Sequence, residues 1–123
     1  MLFQNNFYTV KSEELAEGTA NYHVEINSGH KIFDGHFPDN PITPGVVQME
    51  MIKELMSKVT NSSLNLVTMG NCKFLAILNP VETKEVLVAI NYTLTEDNLY
   101  KVSAQIRAND IIYLKISAFY QPV

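Results

Sequence analysis

Apolar and polar residues alternate most cleanly in "TANYHVEIN", residues 19–27. Ala20, Tyr22, Val24 and Ile26 fall on one side, Asn21, His23 and Glu25 on the other. A period of two is that of a half-buried strand, and the "AEG" before it has turn composition. The apolar stretch "FYTV" predicts a preceding strand that pairs with it as a hairpin. From Pro44 to about Lys58 the period becomes helical: Val46, Met49, Ile52, Met56 and Val59 recur along one stripe, which Val47, Met51 and Leu55 widen. Thr43 is the expected N-cap and Pro44 suits the first helical position, where its missing N–H does no harm. So broad an apolar surface predicts a buried helix. The remainder reads as β: "NLVTMGNCKFLAIL", "KEVLVAINYTLTE", "LYKVSAQIRA" and "IIYLKISAFY", with "EDN" and "AND" as hairpin turns. The predicted order is two strands, one helix and a meander of about four strands. That is an α+β architecture in which an antiparallel sheet curls around a single long helix.

No linker, repeat or low-complexity stretch divides the chain, so residues 1–123 are expected to form one domain. Apolar residues make up 46% and charged residues 18%, the balance of an ordinary globular protein. A net charge of −4, with Arg107 as the only arginine, argues against nucleic acid as a partner and against a guanidinium cluster for phosphate. Cys72 is the single cysteine and is expected to be a small packed side chain rather than a nucleophile. The opening "MLFQNNFYTV" lacks the cationic start and long apolar run of a signal peptide, and no apolar run is long enough to insert in a membrane. A cytoplasmic protein is the expectation.

The segment "GHFPDNPITPGVVQME", residues 35–50, carries the candidate chemistry. Its three prolines restrict the loop and so hold His36 at little entropic cost, while Glu50 follows in the second turn of the predicted helix. Apolar neighbours at Val46, Val47, Met49 and Met51 would keep water from Glu50. Gly45, at the helix start, lets a carbonyl approach free N–H groups without a Cβ in the way. His23 and His30 are expected to be exposed, and neither has companions at metal-ligand spacing, so no metal site is expected. Most of the aromatic residues are expected to pack in the core and the strands.

The same segment resembles the signature of the β-hydroxyacyl-acyl-carrier-protein dehydratases, H-F-P-G-x-P-x-x-P-G-V-L-x-x-E. The match holds without a gap at His36, Phe37, Pro38, Pro41, Pro44, Gly45, Val46 and Glu50, and "CKF" at 72–74 is similar to the family's strand after the helix. The resemblance implies the hot-dog fold and loss of water from a β-hydroxyacyl thioester. The substrate rides on a phosphopantetheine arm, of acyl carrier protein or coenzyme A, and no metal or redox cofactor takes part. It implies His36 as the base, Glu50 as the group that holds or protonates the departing hydroxyl, and the Gly45 amide as an oxyanion donor. Phe33, Phe37 and Val46 are candidates to line the acyl site. It also implies a homodimer, or an assembly of dimers, with the histidine of one chain facing the acid of the other.

Some positions depart from the pattern. Asp39 stands where glycine is usual and puts a negative charge near His36. Glu54 stands where a glutamine is frequent, four residues after the acid. Leu75 and Ala76 replace a basic pair associated with carrier docking. These departures mark a divergent member. Two alternatives remain at this stage: a hot-dog acyl thioesterase, and a non-catalytic acyl-carrier-binding partner of a catalytic relative.

Overall fold

The structure, a computed structural model, describes residues 2–34 and 41–123. Strands β1 (Tyr8–Ala16) and β2 (Thr19–Ile26) form the expected hairpin, turning at Gly18, whose φ of 78° suits a residue without a Cβ. A single 3-10 turn (Lys31–Phe33) follows, then helix α1 (Gly45–Thr60). Strands β3 (Leu64–Phe74), β4 (Glu85–Leu94), β5 (Tyr100–Ala108) and β6 (Ile111–Pro122) complete the molecule. All strand pairs are antiparallel, in the order β1-β2-β4-β5-β6-β3.

The inward set of β2 is the one that alternation picks out: Ala20, Tyr22, Val24 and Ile26 are all buried. They meet Val86, Val88 and Ile90 of β4, Val102, Ala104 and Ile106 of β5, and Val47, Met51, Ile52, Leu55 and Met56 of the helix. Asn98 and Asn109 take the left-handed conformation in the two hairpin turns, as "EDN" and "AND" lead one to expect.

Three expectations need correction. The helix starts at Gly45 with Pro44 as its cap, because the Pro44 carbonyl already accepts from the amides of Val47 and Gln48. Thr43 makes no capping bond; it is buried, and its amide donates to the Leu78 carbonyl. The helix also runs past Lys58 to Thr60, ending at Asn61 in the left-handed conformation, where Ser62 N–H reaches back to the Ser57 carbonyl. Finally, the last four strands are not a simple meander. Only β4, β5 and β6 run side by side, and β3 lies at the far edge, paired with β6. Residues 75–84 carry the chain from that edge back across to β4.

The two sheet edges differ. β1 carries Lys11, Glu13 and Glu14, charges that discourage another strand from adding. β3 has no charge from Leu64 to Cys72. Its Leu66 and Met69 pair with the buried Tyr120 and Ala118 and so lie on the helix side of the sheet, yet they are 43% and 37% exposed.

Candidate active site

The N-terminus of α1 opens on a cavity of about 540 Å³, lined by Pro44, Gly45, Val46 and Met49 of the helix end, by Phe74 at the end of β3 and by Ile77 beyond it. With Val47 and Gln48 bonded to Pro44, the amides of Gly45 and Val46 are the first donors of the helix without an intrahelical acceptor. Val46 is 75% exposed and stands on the rim. Its place on the predicted stripe does not bury it.

Gly45 behaves differently from expectation. The space that its missing Cβ leaves is filled by the Phe74 ring, whose Cζ and Cε1 lie 2.5 and 2.7 Å from where a Cβ would be. A carbonyl approaching Gly45 from that side meets the ring first. Phe74 is itself exposed at the end of an edge strand, so its ring has room to swing away.

Glu50 is half-buried in the second turn of α1. Its charge reaches two buried phenols. Tyr120 is pushed up to about 12, chiefly by burial and then by Glu50. Tyr8 is held well above the usual tyrosine range by burial, by its neighbour Glu54 and, more weakly, by Glu50. Glu50 is thus within electrostatic reach of the start of β1 and the end of β6. His36 and Phe37 lie outside the described residues. Phe33 belongs to the core, buried against Phe7 with ring centroids 5.6 Å apart. That contact occupies it with packing rather than with lining the helix-end cavity.

Glu54 is the residue that the sequence conceals. It is only 4% exposed, and its carboxylate accepts from Phe3 N–H (2.9 Å), Gln4 N–H (2.9 Å) and the Tyr8 hydroxyl (3.0 Å). Burying a carboxylate is costly unless donors surround it, and here three do. An acid within the apolar stripe is the one sequence signal that donors must converge there. His30 also differs from expectation: it is half-buried, accepts the Ile32 amide at Nδ1 (3.0 Å) and stands edge-on to Phe7. His23 is exposed as expected. Cys72 is half-buried, and burial pushes its thiol up, away from thiolate chemistry. Of the Leu75 and Ala76 pair, Leu75 is exposed and Ala76 half-buried. Among the described residues no three His, Cys, Asp or Glu side chains group as metal ligands would, and no helix is long and apolar enough to cross a membrane.

An antiparallel six-stranded sheet on one helix is shared with solved structures over nearly the whole chain. The protein of the ApeI:P dehydratase heterocomplex of Xenorhabdus doucetiae superposes with a TM-score of 0.73, at 19% identity over 92% of this chain and 96% of that one. The conserved protein PA5202 of Pseudomonas aeruginosa gives 0.66, at 12% identity over 97% and 90%. A putative thioesterase of Shewanella oneidensis gives 0.56, at 10% identity over 94% and 82%. The architecture is the hot-dog fold. Residues 11–111 match the ApeI-like family, described as ApeI dehydratase, and the chain belongs to that family. Among curated proteins it is similar to the 3-hydroxyacyl-acyl-carrier-protein dehydratase FabZ of Rickettsia canadensis. Identity there is 29% over 83 residues, 61% of this chain and 57% of that one. The FabZ of Novosphingobium aromaticivorans is 25% identical over 99 residues, 75% and 63% of the two chains. The chain therefore spans little more than half the length of these relatives.

Proposed function

We propose that the chain removes water from a β-hydroxyacyl thioester to give the trans-2-enoyl thioester. His36 takes the proton from the α-carbon. The pair of electrons left behind forms the new α–β double bond as the C–O bond at the β-carbon breaks, and Glu50 supplies the proton with which the hydroxyl leaves as water. The imidazole and the carboxyl end with their protons exchanged and are reset through solvent. The amides of Gly45 and Val46, free at the helix start, donate to the developing enolate oxygen once Phe74 has turned aside. The thioester is carried on the phosphopantetheine arm of an acyl carrier protein or coenzyme A. No metal or redox cofactor is needed for this chemistry.

The family match across residues 11–111 carries the reading, and positions 36 and 50 fall within that range. The apolar cavity at the helix end agrees with it; Glu50 is half-buried in the next turn of the helix and is not among the described residues that line the cavity. We further propose that two copies pair along β3, whose uncharged edge and uncovered Leu66 and Met69 need a partner. The heterocomplex named for the Xenorhabdus relative supports a second outcome, pairing with a different subunit.

The test is direct. Purified protein given a β-hydroxyacyl thioester should produce enoyl absorbance, and Glu50→Gln or His36→Ala should each lower kcat on the order of 100- to 10,000-fold. Release of free thiol without enoyl product would identify a thioesterase instead. Full activity in both variants would remove these residues from the chemistry.

A further inference from the structure

A chain of hydrogen bonds leads from the buried Glu54 to the threshold of the candidate histidine loop. Phe3 N–H donates to Glu54 Oε2 (2.9 Å), and the Phe3 carbonyl accepts from Phe7 N–H (2.7 Å). The Phe7 carbonyl accepts from Asn27 N–H (2.8 Å), the Asn27 carbonyl from His30 N–H (3.1 Å), and the His30 carbonyl from Phe33 N–H (3.1 Å). Side chains repeat the route. The Phe7 ring is packed against Phe3, His30 and Phe33, with centroids 5.7, 5.5 and 5.6 Å apart. Phe33 stands three residues before His36.

The direction of these bonds matters. An apolar side chain at position 54 would fill the same space but would leave the 3–8 turn free to slide along the helix. A carboxylate that accepts two successive backbone amides fixes that turn in both position and orientation. Asn5, in the left-handed conformation at φ 66°, and its amide bonded to the Tyr8 carbonyl (2.7 Å) make the turn tight enough to transmit that position.

We propose that Glu54 is a positioning residue for the dehydration site. Through the turn at residues 3–8 and Phe7, it fixes the 3-10 turn Lys31–Phe33, from which the segment bearing His36 departs. This rests on the dehydratase reading for its consequence in catalysis, but the anchoring is measurable without turnover.

Glu54→Gln keeps the size of the side chain while turning one acceptor into a donor that faces a backbone N–H. Phe7→Leu keeps the carboxylate's bonds and removes the ring contacts. Val102→Ala, a cavity in the sheet away from this route, serves as the control for stability loss alone. In native-state hydrogen exchange, both test variants should speed exchange at the His30 and Phe33 amides by about tenfold or more, with Ile90 and Ala104 of the central sheet within about twofold. Both should lower kcat on the order of tenfold or more with KM within about twofold, since a displaced base costs rate rather than affinity. The control should change neither His30 and Phe33 exchange nor kcat. Unchanged exchange at His30 and Phe33, a uniform rise that includes the central sheet, or an unchanged kcat in the folded variants would overturn the proposal. A wild-type protein that does not dehydrate sinks the functional reading while the exchange data still judge the anchor.

Discussion

Three buried phenols tie the stability of this molecule to alkaline pH. Tyr22 and Tyr120 are each pushed up to about 12, first by burial, and Tyr8 further still. A tyrosine whose folded value lies above its unfolded value of 10.0 contributes stability that is fully present below pH 10. That contribution is lost as pH rises towards 12, because the unfolded chain gives up the proton first. For Tyr120 the loss amounts to about 2–3 kcal/mol. Urea unfolding between pH 8 and 11.5 should therefore show stability falling above pH 10, and Tyr120→Phe should flatten that fall. An equal slope in both proteins would place the cause elsewhere. None of this is visible in sequence, since alternation marks Tyr22 as inward but says nothing about its hydroxyl, which has no hydrogen-bond partner among the described residues. Glu54 stood out as an acid in an apolar stripe, but what it binds was illegible for a related reason. Its three donors lie about fifty residues away, and two of them are backbone amides that leave no trace in residue type.

Among the elements, those with a strict period were legible and their partnerships were not. The stripe on α1 and the alternation of β2 announce themselves locally, because each depends on one buried face. Strand β3 gives no such sign of where it pairs, and the sequence cannot tell a neighbour in order from a neighbour in space. Its crossing to the far edge is what leaves Leu66 and Met69 uncovered on the helix side. If that edge joins two copies, Leu66→Lys with Met69→Lys places four cations at one seam and should convert a dimer into monomer. Light scattering on the variant and the wild type reads this at once. A wild-type monomer, or a variant dimer of undiminished affinity, would mean that β3 is not the seam. Circular dichroism guards against the trivial outcome, because these side chains are exposed and their replacement should cost the fold little.

At the level of the whole molecule, the proposed reaction and the proposed pairing make one joint demand. The motif puts His36 and Glu50 fourteen positions apart on one chain, and the resemblance implies that the working pair is drawn from two. Mixing decides between these arrangements. His36→Ala and Glu50→Gln are each expected to be inactive alone. Refolded together in equal amounts, they should form hybrid dimers as half of the population, and a shared-site hybrid holds one intact site and one doubly altered site. Activity should then return to about a quarter of the wild-type level, the statistical limit for random pairing of two chains. If each chain completes its own site, every chain in the mixture lacks one of the two groups and no activity returns. The recovered fraction should also rise with protein concentration along the same curve as the dimer measured by light scattering, since only the assembled pair can bring the imidazole and the carboxyl group to one substrate.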